Sequence, residues 1–592
     1  MQKQEHHEKF SFKSYFIPLT TVKAISWIII IGLIVYANLL FNGFVWDDNV
    51  YLLNNADIRT LNLAYLFGPN TWNNGLYYRP LTGLYFSILY YFFNFNSFFY
   101  HLLQIALHIT NSILLFFVFK KFINKYISFF LSLLFLVHPI QVEAVAFIAT
   151  LSPLSFLFGL IALLISFKKI ITPKRFVLIL LFLLLSILVK ETGFLFFLFI
   201  LLYRIIFHFK RNEIALFIFV DIIAGSIYYS LRYFIGKTSL TLSQGTIVPI
   251  ARLNFPERLE NIPAIIFYYL KTFFYPVAFA IDQQWIVTRI TYYKFYLPLL
   301  VDIVVVLLIV IFGIYLVKSH KKLFKPFLFF FFWFGLGLGF HLQLYALDMT
   351  VADRFFYYPI AGLLGMIGIG IAVTSHFYIN QKRLQIIATI IALFIIIVLS
   401  VRTMERNSNW YNEITLYSHD LNIYDSMNDE TNLGSDYAAL KNYNEALNHY
   451  ERAVVILPTE LNLYDVGYIY EKIGNLKMAE GNYEKALTYT QYPLTEHKLI
   501  ITTASGRLAY VYLLLGKNKR ALQFIKQRLL ISPEYGYLWE DLAISEYRMH
   551  NKKAAFLVLK DAKNYLSGNE IDYLYLRISN NTPINLIPLS SS

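Results

Sequence analysis

From Ala24 to Val401 the chain is a succession of apolar runs, most about as long as a bilayer-crossing helix, separated by short polar or basic clusters. Few folds can use such a pattern. In hydrocarbon each backbone amide and carbonyl must find its partner within the protein, so runs of this length read as membrane helices. After Val401 the pattern stops, and Glu, Lys, Asn and Ala reach the frequencies of a soluble domain. A content of 57% hydrophobic residues over 592 exceeds what a soluble globular chain carries. The expected class is all-α: a polytopic membrane helix bundle followed by a soluble part.

The charges orient the bundle. The formal net charge is +14, and many Lys and Arg sit in short clusters between apolar runs. This is the positive-inside signature and not a nucleic-acid footprint, so no nucleic-acid partner is expected. There is no cysteine, which excludes disulfides, thiolate metal sites and Cys nucleophiles. The first run is too long for a signal-peptide core and reads as a retained helix.

Residues 1–23 are then cytosolic, and Ala24–Phe41 carries Asp47 and Asp48 to the opposite side. The first outer loop, 42–99, contains Arg59, Arg79-Pro80 and an aromatic run, Leu81–Phe95, that suits a helix lying at the interface. Crossings follow at Tyr100–Phe119, Ile127–Val145, Pro153–Phe167 and Phe176–Val189, then to about His208, and at Ile214–Ile235. The segment Ile262–Ile281, with Pro263, Lys271 and Pro276 inside it, either crosses or re-enters. Re-entry keeps Lys318–Lys325 and Lys382-Arg383 cytosolic, and the charge rule favours it. Leu297–Val317, Pro326–Tyr345, Phe356–Phe377 and Leu384–Val401 bring the total to about eleven spans. The C-terminal part then lies on the side of Asp47. The expected domains are a membrane domain over 24–402, a linker over 403–426, repeats over 427–570 and a tail over 571–592.

The repeats have their own signature. Leu433, Gly434, Tyr437, Ala446, Tyr450, Ala453 and Pro458 follow the tetratricopeptide spacing within a unit of about 34 residues. Val466, Gly467, Tyr470, Gly474, Ala479, Tyr483 and Ala486 repeat most of it. A third unit begins near Leu508 and a looser fourth near Trp539. The expected fold is a C-terminal α-solenoid, whose stacked helix pairs present an extended surface for protein or peptide partners.

Ionisable residues at a membrane edge are candidates for function. Those expected on one side are Asp47, Asp48, Arg79, His101, His138, Glu143, Lys190, Glu191, Asp353 and Arg354. Carboxylates beside cations suit a reaction in which a nucleophile needs a base and an anionic leaving group needs positive charge. Each has a plainer reading. The Asp pair could cap an interfacial helix. Arg79 could be an interface anchor. Lys190-Glu191 and Asp353-Arg354 could be self-neutralising pairs. The two histidines could be satisfied packing residues or helix ends. There is no H-E-x-x-H, Gly-rich phosphate loop or G-x-S-x-G, so metalloprotease, nucleotide hydrolase and serine hydrolase readings lack support, and no metal site is expected.

In order along the chain stand Asp47-Asp48, Tyr78-Arg79-Pro80-Leu81, Tyr100-His101 with His108 and Asn111, and His138-Pro139 with Glu143-Ala144. Lys190-Glu191-Thr192-Gly193 and Arg354 with Tyr357, Tyr358 and Pro359 come next, and the repeats follow. This series resembles the transmembrane and tetratricopeptide-repeat O-mannosyltransferase family and its bacterial relatives, integral-membrane glycosyltransferases of the GT-C class. The resemblance implies an enzyme that moves a sugar, mannose in this family, from a polyprenyl-phosphate carrier to a protein hydroxyl with inversion. It implies no bound cofactor, with the lipid-linked sugar as donor substrate, and leaves a divalent-cation requirement open. It implies Asp47 as the base with Asp48 orienting it, and Arg79, Lys190 and Arg354 on the carrier phosphate. His138, Glu143, Glu191 and Tyr357 would line the sugar or acceptor pocket. The repeats would dock the acceptor protein, on the extracytosolic side of a bacterial inner membrane. The chain departs from the family pattern at Asp353, where Glu is expected, and at Ala149-Thr150-Leu151-Ser152-Pro153, which replaces a Gly-Arg-x-Asp-type turn. Two other readings remain: a related transferase acting on a glycan or lipid, and a non-enzymatic membrane scaffold, which has no need of Asp47. A transporter reading is weaker, because the charges gather at one membrane face and not at the midplane.

Overall fold

The computed structural model describes residues 19–68, 77–207, 210–237, 248–378, 381–489 and 497–591. Most of the N-terminal stretch expected in the cytosol, the segment 69–76 of the first outer loop and the segment 238–247 of the polar loop before Glu260 lie outside the described residues. The chain forms two compact units, Met1–Leu242 with Leu253–His419, and Ser243–Arg252 with Asp420–Ser592.

The first unit is helical. Its main helices are α1 (Thr21–Val35), α2 (Pro80–Phe93), α3 (Ser97–Lys120), α4 (Lys125–Val137), α5 (Ser152–Ser166), α6 (Pro173–Val189) and α7 (Leu195–Ile206). They continue with α8 (Arg211–Ser230), α9 (Ile262–Phe274), α10 (Leu297–Ser319), α11 (Lys321–Gly339), α12 (Pro359–Tyr378) and α13 (Lys382–Asn409). Each of the eleven runs expected to cross contains a helix, and the one expected over Pro326–Tyr345 is helical only to Gly339. Among the described residues six helices are long and apolar enough to cross a membrane, and a seventh if Lys125–Val137 and Pro139–Ala146, bent by 53°, count as one. α1, α2 and α12 are shorter apolar helices. The chain is an integral membrane protein with an all-α fold. Ile390, Phe394 and Ile397 on α13, and Leu307, Leu308 and Ile311 on α10, are exposed; water would not tolerate such faces but lipid does.

One expected span is interrupted, and two further segments take local forms that the sequence left open. The third expected span breaks after Val137, because Pro139 cannot donate to the helical ladder and His138 turns extended. The segment 262–281 forms a helix of only 13 residues, Ile262–Phe274, with Pro263 in its first turn. The stretch 403–426 is largely helical: α13 runs on to Asn409 and α14 covers Glu413–Leu421.

The second unit is a run of helix pairs. They are α15 (Met427–Ala439) with α16 (Tyr443–Ile456), α17 (Glu460–Lys472) with α18 (Leu476–Thr488), α19 (His497–Leu514) with α20 (Asn518–Leu529), and α21 (Gly536–Arg548) with α22 (Lys552–Asp561). A further helix, α23 (Gly568–Ser579), occupies the start of the stretch read as a tail. The repeat signature has a steric cause. A Cβ on Gly434 would come 2.9 Å from the Tyr450 ring, and one on Gly467 would come 2.8 Å from the Tyr483 ring, so the paired helices close only over glycine.

Candidate functional site

The loop after α1 is bent by its own hydrogen bonds. Trp46 takes a left-handed conformation, φ 57°, and the amide of Asp48 donates to the Val45 carbonyl at 3.1 Å. A one-residue twist of this kind sends the two aspartates in different directions. Asp48 is fully buried, and its carboxylate accepts the amides of Ala149 at 2.8 Å and Val45 at 3.4 Å. Burial pushes the Asp48 carboxyl up to about 8, against the pull of those amides. Asp47 stays partly open and lines a cavity of about 470 Å³. Burial pushes the Asp47 carboxyl up to about 6, even though Arg354 draws it down.

Three of the expected cations reach the same cavity: Arg79, Lys190 and Arg354. Arg79, just before α2, binds Glu191 through Nε at 2.8 Å and lies over the Tyr77 ring at 4.1 Å. Lys190 caps α6. Its ammonium donates to Thr150 Oγ1 at 2.9 Å and Ser152 Oγ at 2.7 Å, and no described carboxylate is within ion-pair distance. Burial, then Arg79 and Arg354, holds Lys190 well below the usual ammonium range. The tight return of the chain after Lys190 needs Gly193, where a Cβ would come 2.5 Å from the Ser186 backbone. The stretch Ala149–Ser152, where the chain departs from the family pattern, therefore supplies an amide for Asp48 and two hydroxyls for Lys190.

Arg354 lies in a short 3-10 turn, Asp353–Tyr357. Its guanidinium pairs with Glu143, its own amide donates to Glu143 Oε2 at 3.2 Å, and it is flanked by the Trp46 ring at 5.1 Å and the Phe355 ring at 5.2 Å. The neighbouring Asp353 is turned away and accepts the Tyr268 hydroxyl at 2.7 Å.

Of the nine residues to which the resemblance gives a role, Asp47, Arg79, Lys190, Glu191 and Arg354 line the cavity. Asp48 lies behind it. Glu143 is also behind the wall and reaches it only through Arg354. His138 is buried against Phe273, stacked at 5.0 Å and bonded to its carbonyl at 3.0 Å. Tyr357 is buried in the bundle, its hydroxyl shared by His108 at 2.9 Å and Asn111 at 3.0 Å. Polar groups this deep need partners inside the protein, which explains why these two face inward.

The cavity also holds residues the sequence reading passed over: Tyr51, Tyr77, Arg232, His341 and Asp348. His341 is buried, stacks on Phe355 at 4.5 Å, and neither of its ring nitrogens has a hydrogen-bond partner. Burial, then Lys190 and Arg354, pushes the His341 imidazole down to about 3, so it is neutral. Asp348 sits in a loop that Gln343 pins, donating to the Met349 carbonyl at 2.7 Å and the Thr350 carbonyl at 3.1 Å. The signal that found Asp47 applies equally to these two, a polar group just past the end of an apolar run; each stands alone, without a charged neighbour to mark it. No group of three or more His, Asp or Glu suited to a metal ion occurs among the described residues. The cavity thus offers a carboxylate with a raised proton affinity, opposite cations able to take an anion, in a partly enclosed space lined by aromatic rings.

Comparisons with known proteins concern the chain as a whole. A tetratricopeptide-repeat family model matches residues 462–492. The protein named "Protein O-mannosyl-transferase TMTC3" of Mus musculus is 23% identical over 93% of this chain and 64% of its own length. Its Homo sapiens counterpart is 37% identical over 20% of this chain and 14% of its own. "Protein O-mannosyl-transferase TMTC1" of Homo sapiens is 33% identical over 28% of this chain and 22% of its own. The chain therefore spans less than two thirds of the length of the curated relatives it matches. Along nearly all of its length the chain is similar to the tetratricopeptide-repeat O-mannosyl-transferases, and it carries the same kind of repeat.

Proposed function

We propose that this chain is a glycosyltransferase that moves a sugar, mannose by kinship, from a polyprenyl-phosphate carrier to a hydroxyl of an acceptor protein, on the extracytosolic face. The observation that carries this reading is the Asp47 carboxylate facing a cavity shared with Lys190, Arg354 and Arg79. Asp47 takes the proton of the acceptor hydroxyl as its oxygen bonds to the anomeric carbon. The bond from that carbon to the phosphate oxygen breaks on the opposite side, and the electron pair leaves with the carrier phosphate. Attack opposite the leaving group inverts the anomeric centre. Lys190 and Arg354 stabilise the charge growing on that phosphate. A base with a pKa near 6 is matched to neutral operation, since it is mostly ionised and still holds a proton usefully. Asp48 fixes the loop that aims Asp47.

The test is transfer from a radiolabelled polyprenyl-phosphate mannose in membranes carrying wild type or Asp47→Asn. Loss of transfer in the variant at unchanged protein level is expected. Transfer retained by Asp47→Asn removes the base assignment, and no transfer by wild type from any of several lipid-linked sugars removes the enzyme reading in favour of a scaffold.

A further inference from the structure

Past α23 the chain does not leave the repeats. Asn581 is left-handed, φ 55°, and from there residues 582–588 run without helix or turn. The run is held at its base, where the Thr582 amide donates to the Arg577 carbonyl at 3.0 Å. Its side chains alternate. Thr582, Ile584, Leu586 and Pro588 are turned in, and Asn581, Pro583, Asn585 and Ile587 are exposed. This is the period of two of an extended strand lying on a surface.

Its backbone is held by side chains from the first helices of successive repeats. The Tyr547 hydroxyl donates to the Thr582 carbonyl at 3.0 Å, and Arg548 donates to the Ile584 carbonyl at 3.1 Å; both come from α21. On α19 the Tyr510 hydroxyl donates to the Ile587 carbonyl at 3.1 Å and accepts the Ile587 amide at 2.9 Å. Ile584 is inserted into the apolar core of the repeats, with Leu586 packed beside it. Main-chain bonds of this kind are blind to sequence, while pockets for alternate side chains select it; together they are how a surface reads an extended peptide.

We propose that the face built by the first helices of the repeats is a docking groove for an extended polypeptide with aliphatic side chains two residues apart, and that residues 582–588 fill it in cis as a displaceable mimic. The strand leaves α23 through the left-handed Asn581, a single hinge on which it can swing out while α23 stays in place. Covalent attachment gives it an effective concentration of about a millimolar, so a free peptide competes poorly until the strand is released. The proposal concerns binding alone and stands or falls independently of sugar transfer.

The test uses the full chain in detergent, a chain ending at Asn581, and a fluorescent peptide carrying Asn580–Ser592 as probe, read by anisotropy. The shortened chain is expected to bind the peptide at least about ten-fold more tightly than the full chain. Tyr510→Phe in the shortened chain should weaken binding several-fold, and a peptide with Asp in place of Ile584 should not bind. Equal weak binding to both chains overturns the proposal. So does loss of the repeats' cooperative melting in the shortened chain, because the strand is then an integral cap. Hydrogen exchange in the intact protein provides a second measure: the Ile587 amide should exchange at least about 100-fold faster than the amides of Leu508–Leu513. Equal protection of the two overturns the proposal as well.

Discussion

Arg354 and Glu143, 211 residues apart in the chain, are joined twice: guanidinium to carboxylate, and the Arg354 amide to the other carboxylate oxygen. Both side chains are buried, at 7% and 1% exposure, so neither charge has water to fall back on. Glu143 thereby fixes the angle at which Arg354 meets the cavity. Removing one member of a buried pair leaves the other uncompensated, at a cost of about 3 kcal/mol or more. Glu143→Gln should lower the melting temperature and raise the KM for the lipid-linked donor more than it lowers kcat. A variant with wild-type melting and wild-type KM would detach Glu143 from the positioning of Arg354.

The pH dependence follows from Asp47. Its carboxyl is raised to about 6 by burial, and only the ionised form can accept a proton. Below pH 6 the rate should therefore fall about ten-fold for each pH unit, and above it the rate should level off. Arg354 draws this pKa down, so Arg354→Gln should move the acid limb towards higher pH in addition to any loss of rate. Initial rates between pH 5 and 8 test both statements. A flat profile for wild type would take Asp47 out of the chemistry.

Asp48 makes a contrasting case. Its two oxygens each accept a backbone amide, so Asp48→Asn turns one acceptor into an NH₂ group facing an N–H. A buried donor without its acceptor costs about 1–3 kcal/mol. The variant should melt at lower temperature, and the activity per folded molecule should fall less than in Asp47→Asn. Thermal melting beside transfer assays separates the two aspartates. A larger activity loss in Asp48→Asn with unchanged melting would reverse their roles.

The sequence makes some of this site plain and hides the rest. Asp47, Arg79, Lys190, Glu191 and Arg354 stand at the ends of apolar runs on one expected side, and hydropathy with charge alternation brings such ends together. The tetratricopeptide pairs are equally legible, because glycine and tyrosine recur at positions where helices must close on each other. Depth within the bundle is another matter. His138, Glu143 and Tyr357 sit at similar sequence positions to the cavity residues, yet their partners, Phe273, Arg354 and His108, lie far along the chain. Only the packed bundle decides which polar side chain faces the cavity and which is spent on holding the wall. The separate duties of Asp47 and Asp48 depend on the φ of Trp46, which neighbouring residue types do not dictate.

Lys190 has no carboxylate partner among the described residues, unlike Arg79 and Arg354 beside it. Two hydroxyls hold its ammonium, and burial with Arg79 and Arg354 weakens its hold on the proton. An anionic phosphate in the cavity would reverse that, so donor binding and Lys190 protonation should be coupled. A hydrogen bond to a charged group contributes about 1.5–3 kcal/mol, or about 10–100-fold in affinity. Lys190→Met should raise the donor KM by that factor, with the acceptor KM nearly unchanged. Lys190→Arg should recover part of it. A donor KM unchanged in Lys190→Met would assign the carrier phosphate to Arg354 and Arg79 alone.

His341 presents two ring nitrogens that no group among the described residues meets, in a cavity that also holds Asp47 and Asp348. A buried polar group without a partner is costly, and a sugar in the cavity would give this ring one. The ring is neutral, offering one donor and one acceptor, the pair that neighbouring sugar hydroxyls require. His341→Phe keeps the stack on Phe355 and removes both nitrogens. Each hydrogen bond lost to the sugar weakens transition-state binding by about 1 kcal/mol, so kcat/KM should drop by about 5–30-fold. Since the nitrogens bond to nothing among the described residues, the melting temperature should hold or rise. A marked fall in melting temperature with unchanged kcat/KM would make His341 a packing residue, and sugar recognition would then rest on Asp348 and the tyrosines of the same cavity.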